Sequence, residues 1–168
     1  MNKKKHPIIS TIKILIFFFS ILFYYTNINI SIRGITPLII LPILTAFSFF
    51  HSPLCCTFTG LACGIFMDCC AINSYCFNAI VLIIISVGVS VVSENLFNKN
   101  IQSATVLCLI ACTFYFVSNW IVFHTHKVAI KDTFIYLLNY AFPSVILSAA
   151  FIFPFYYLYR YFNKLTIE

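Results

Sequence analysis

The chain has 168 residues, 62% of them hydrophobic and only 8% charged, with a formal net charge of +6. Soluble domains carry about 25% charged residues, so an ordinary soluble fold is excluded, and the mean hydropathy of +1.01 points to an integral membrane protein. Lys3, Lys4, Lys5, Lys13, Arg33, Lys99, Lys127, Lys131, Arg160 and Lys164 nearly all flank apolar runs, the pattern of topology signals and of contacts with anionic membrane lipid, not of a nucleic-acid surface.

In chain order, a basic head over 1–7 precedes a first predicted span over 8–25. Lys13 lies near the start of that span, where it can snorkel to the headgroups. Tyr24-Tyr25-Thr26-Asn27 offers no small-residue cleavage site, so an uncleaved anchor is expected. The second span, 35–50, opens at Pro37 and carries Pro42, which is expected to kink it. A tight turn at His51-Ser52-Pro53 leads into the third span, 54–72, and another at Asn73-Ser74-Tyr75 into the fourth, 77–93. The fifth, 101–123, has Asn119 and the interface anchor Trp120 near its end. A polar connection over 124–132 precedes the sixth, 133–159, which contains Pro143 and Pro154 and ends in a belt of Tyr156, Tyr157 and Tyr159. Runs such as Val81-Leu82-Ile83-Ile84-Ile85 do not alternate as barrel strands must. The expected fold is therefore an all-α integral membrane protein, a single domain over 1–168 forming a bundle of about six transmembrane helices. Lys3, Lys4, Lys5, Lys99, Arg160 and Lys164 fall on one side and Arg33, Lys127 and Lys131 on the other, which predicts cytoplasmic termini.

The third span holds the most informative spacing. Gly60, Gly64 and Asp68 recur every four residues and so share one helical face. Two glycines on a face admit close approach by another helix. An acid in a span faces protein or a watery cavity, and the other helices are expected to surround this one. Asp68 is the acid placed well inside a span; Glu94, Asp132 and Glu168 are the others in the chain. General acid–base catalysis needs a second titratable group in reach, and none is placed beside Asp68 by spacing. Interhelical hydrogen bonding or hydration near the headgroups is expected instead, with a proton relay as the functional alternative. Asn78, Asn95 and Asn119 read as helix caps or interhelical hydrogen-bond partners.

No catalytic, cofactor or metal site is predicted. His124 and His126 with Asp132 lack a third ligand fixed by spacing, and no nucleophile elbow, phosphate loop or zincin motif occurs. Cys108 and Cys112 share a helical face and read as small apolar side chains. Pairing among Cys69, Cys70 and Cys76 is left open by their spacing.

Taken together, Pro37 opening a span, Gly60-x-x-x-Gly64-x-x-x-Asp68, a tight turn, Asn78-Ala79 opening the next span and Asn119 near the end of the fifth resemble the bacterial rod shape-determining MreD family over roughly residues 35–124. The family often has an acid after the proline and a glycine shortly before the asparagine; this chain has Leu38 and Cys76-Phe77 there. The resemblance implies a non-enzymatic component of the cytoplasmic membrane within the cell-wall elongation machinery. It also implies an architecture similar to the six-helix substrate-binding subunits of energy-coupling-factor transporters. Its expected partner is an MreC-like single-span scaffold, with other wall-elongation proteins. The helix-packing or partner-binding candidates are Gly60, Gly64, Asp68, Asn78 and Asn119. The alternative expectation is a small-molecule (vitamin) binding subunit of an energy-coupling-factor type transporter, with Asp68, Asn78, Asn119 and the 124–132 loop as its polar groups.

Overall fold

A computed structural model of the protein describes residues 38–70, 76–95, 100–123 and 142–167. Six helices run through them: α1 (Ile40–Phe50), α2 (Pro53–Cys70), α3 (Phe77–Asn95), α4 (Ile101–Phe123), α5 (Phe142–Ala150) and α6 (Ile152–Ile167). There is no strand among the described residues. Three stretches are long and apolar enough to cross a bilayer, namely Phe77–Asn95, Ile101–Val122 and Phe142–Lys164, so this is an α-helical membrane protein. The predicted span 8–25, the connection 124–132 and residues 133–141 lie outside the described residues.

Proline placement sets several boundaries. Pro42, Pro53, Pro143 and Pro154 all fall in the first turn of a helix, where the missing N–H is an orphan in any case. Two expectations are corrected by this. The second span was expected to run from 35 and kink at Pro42; instead Leu38 and Ile39 precede a helix that begins at Ile40, which leaves Pro42 harmless in its opening turn. The Leu38 N–H donates across to Ser148 Oγ at 3.0 Å, tying this start to α5. The last span is not one helix either. Pro154 has no N–H for the Ala150 carbonyl and its ring crowds that oxygen. The helix breaks at Phe151, whose N–H bonds the Ser148 carbonyl at 3.1 Å.

The centre of the bundle is also not where the spacing put it. α2 was expected to be the surrounded helix, but α1 is: every residue from Ile40 to Phe49 is buried, and α1 packs on each of the other five described helices. A helix that is apolar all round belongs in the interior. α2 has two unlike faces. Leu54 (77% exposed), Phe58 (72% exposed), Leu61 and Ile65 form an outer apolar stripe, while Cys56, Gly60, Cys63, Gly64 and Met67 are buried. The polar headgroups and aqueous phases do not ask that outer stripe to be polar in lipid, so hydropathy alone cannot tell it from a core face. Aromatic edges lock α6 to α1: Phe47 meets Tyr159 at 5.7 Å and Phe49 meets Tyr156 at 6.0 Å between ring centroids.

Candidate functional site

The seam between α2 and α3 is made by absent side chains. A Cβ at Gly64 would strike the Ala79 Cα, the Ala79 nitrogen at 2.6 Å and the Asn78 carbonyl oxygen at 2.8 Å. One at Gly60 would strike Ser86 Oγ and the Leu82 carbonyl oxygen at 2.9 Å. Those neighbours are largely backbone and cannot rotate away, so the two helices run backbone to backbone, as small-xxx-small faces allow. This is the most extensive helix pairing in the described bundle.

The seam ends in a clasp. Asp68, one turn beyond Gly64, reaches the opening turn of α3. Its Oδ1 accepts hydrogen bonds from the Asn78 backbone N–H at 3.1 Å and from Asn78 Nδ2 at 2.9 Å. Its Oδ2 accepts the Ala79 N–H at 2.9 Å. Asn78 and Ala79 are the second and third residues of α3, whose N–H groups an ordinary N-cap side chain would satisfy. The capping position is held by Cys76, which has no side-chain oxygen to offer, so the preceding helix supplies the acceptor. The helix macrodipole favours an acid at this place. Asn78 then hands the network on: the Tyr115 hydroxyl of α4 donates to Asn78 Oδ1 at 2.7 Å in a buried contact. The Phe77 ring lies beside Tyr115 at 6.4 Å. Three helices are thereby joined through one carboxyl and one amide. Cys76 itself has φ 59°, in the left-handed region.

No family model, curated protein or solved structure matches this chain. Of the residues singled out from sequence, Gly60, Gly64, Asp68 and Asn78 come together in one unit. Asn119 does not join them. It is half-buried one turn past Tyr115 and makes no hydrogen bond to Asp68 or Asn78 among the described residues. Asn95 bonds its own helix, Nδ2 to the Val91 carbonyl at 2.9 Å. No group of three or more His, Cys, Asp or Glu able to hold a metal occurs among the described residues, and Cys69 and Cys76 are free thiols. Tyr115 was not foreseen. Its signal was a tyrosine in mid-span, distant from the interface belts where tyrosines normally sit.

At the opposite end of the bundle a second set of side chains completes α1. The last carbonyls of a helix lack intrahelical partners, and in lipid they must find others. The Phe47 carbonyl accepts from His51 Nδ1 at 2.8 Å, so that nitrogen carries the proton, and the imidazole stacks on the Phe47 ring at 4.0 Å. The Ser48 carbonyl faces Cys56 Sγ at 3.8 Å, and the Phe49 carbonyl faces Ser93 Oγ at 3.4 Å. Ser90 Oγ donates to the His51 carbonyl at 2.6 Å and Ser86 Oγ to the Cys56 carbonyl at 2.9 Å. Ser86, Ser90 and Ser93 recur at four and three residues, one face of α3. His51, which the sequence places in a tight turn, is a cap.

Proposed function

We propose that the chain is a non-enzymatic scaffold of the bacterial cytoplasmic membrane that holds partner helices in a cell-wall elongation assembly and so regulates cell shape, as the MreD resemblance implies. The observation that carries this reading is the physical unity of the residues behind the resemblance. Gly60, Gly64, Asp68 and Asn78 lie along a single seam, in which Asn78 meets both Gly64 and Asp68. Their chemistry is that of fixing helices: both Asp68 oxygens are engaged by N–H donors of α3, and the amide is engaged by Tyr115. Cys76, beside which the family shows glycine, has the positive φ that glycine adopts without strain. In a vitamin-binding subunit the same polar groups would converge on a ligand pocket; here Asp68, Asn78 and Tyr115 converge on each other.

The test is affinity purification of the tagged chain from its own membranes in gentle detergent, with identification of what accompanies it. Recovery of an MreC-like single-span protein or a peptidoglycan synthase is the expected result. Recovery of paired ATPases with a coupling membrane subunit would overturn the reading in favour of small-molecule uptake.

A further inference from the structure

Beside the capped end of α1 lies an open groove of about 650 Å³, lined by Phe50 of α1 and by Tyr157, Arg160, Tyr161, Asn163 and Lys164 of α6. Tyr157, Arg160, Tyr161 and Lys164 fall at i, i+3, i+4 and i+7, so they form one face over the last turns of α6. We propose that this groove binds the phosphate headgroup of an anionic phospholipid. Depth is the first argument. The apolar stretch Phe142–Lys164 ends at Lys164, and Arg160 lies one turn inside it, which puts both cations at headgroup level. Charge is the second. The described acids are Asp68, at the other end of the bundle, and Glu94, and neither pairs with Arg160 or Lys164. A guanidinium offers a fork matched to two phosphate oxygens, and the ammonium adds a mobile point charge. The walls are the third. Phe50, Tyr157 and Tyr161 make an amphipathic rim suited to the glycerol and upper methylenes of a lipid, and Tyr157 and Tyr161 are well exposed. A soluble acidic peptide would use the charge but leave those rings unused.

The experiment is native mass spectrometry of the full chain released from detergent with phosphatidylglycerol, cardiolipin and phosphatidylcholine in equal amounts. The parent should retain the two anionic lipids in preference to phosphatidylcholine. Arg160→Gln with Lys164→Gln should lower that retention about fivefold for each charge removed. The charge-keeping pair Arg160→Lys with Lys164→Arg should retain most of it. Lys4→Gln with Lys5→Gln, which removes equal charge from the head, should lower retention less than the Arg160 and Lys164 changes do. Thermal midpoints equal to the parent's show that loss is not unfolding, and Lys164→Gln alone serves if the double variant is not recovered. Equal retention of all three lipids, undiminished retention in the Gln variants, or equal loss from the Lys4 and Lys5 changes would overturn the site. Displacement of the lipid by millimolar inorganic phosphate would reassign it to a soluble anion, and displacement by an acidic peptide to a protein partner.

Discussion

On its α2 side, α3 is held at backbone distance through Gly60 and Gly64 and closed by the Asp68 clasp. On its α4 side, Gly88 has no atom within 4 Å of where a Cβ would stand, and it opens on an apolar groove of about 220 Å³ walled by Ile84, Leu107, Ile110 and Phe114. At one end the α3–α4 link carries the Tyr115–Asn78 hydrogen bond. The same residue type therefore does opposite things on two sides of one helix. A glycine that is matched by another four residues away, and followed by a polar group that can lock the register, marks a seam. A solitary glycine marks only a gap in the side-chain surface.

That contrast can be broken first at Gly64. Gly64→Leu should abolish the seam, since its side chain would have to displace the Ala79 and Asn78 backbone. Overpacking by even small groups costs about 1–3 kcal/mol, so loss of the monodisperse peak in size-exclusion chromatography is expected, together with loss of partner recovery. Partner recovery equal to the parent's at equal membrane levels would show that the seam is not what holds partners. Asp68→Asn comes next. It replaces one acceptor oxygen with an N–H donor facing the Ala79 or Asn78 N–H, and hydrogen bonds to a carboxylate contribute about 1.5–3 kcal/mol each. A thermal midpoint lowered by several degrees, with the protein still folded, is expected; an unchanged midpoint would mean the clasp contributes nothing.

Smaller effects sharpen the comparison. Tyr115→Phe removes the hydroxyl that ties α4 to Asn78, and interhelical hydrogen bonds in membranes average about 0.6 kcal/mol. Its midpoint should fall less than that of Asp68→Asn, and the two losses should not add in the double variant because they share Asn78. Cys76→Gly should raise the midpoint, since a left-handed residue with a Cβ carries a penalty of about 1–2 kcal/mol and the φ there is 59°. Gly88→Ala should be neutral or slightly stabilising, by up to about 1 kcal/mol from helix propensity, because the added methyl meets open space. A destabilising Gly88→Ala would erase the distinction between the two seams.

The helical membrane class, the extent of α4 and the close face of α2 were legible, because hydropathy and four-residue spacing report directly on burial in lipid and on helix approach. The direction of Asp68 was legible in part. Spacing put it on the glycine face, but two of its three partner N–H groups are backbone, and no side-chain pattern announces those. The central place of α1 was hidden, since a lipid-facing stripe such as Leu54, Phe58, Leu61 and Ile65 is as apolar as a core face. The split at Phe151 was hidden for another reason: a proline can kink, break or open a helix, and which one occurs depends on what packs against the freed carbonyl. The serine stripe on α3 was visible as a pattern, but its meaning required knowing that α1 ends opposite it.

The side-chain caps on α1 bear on how this protein is made. Ile40–Phe50 has 11 residues and rises about 16 Å, roughly half of a hydrocarbon core. Its closing carbonyls find His51, then Cys56, then Ser93 only as each is synthesised. The segment that becomes the most enclosed helix is thus the one least able to settle in lipid alone. A nascent chain stalled between Phe50 and Ser93 lacks the Ser93 cap, so α1 should be more protease-sensitive there than in the finished bundle.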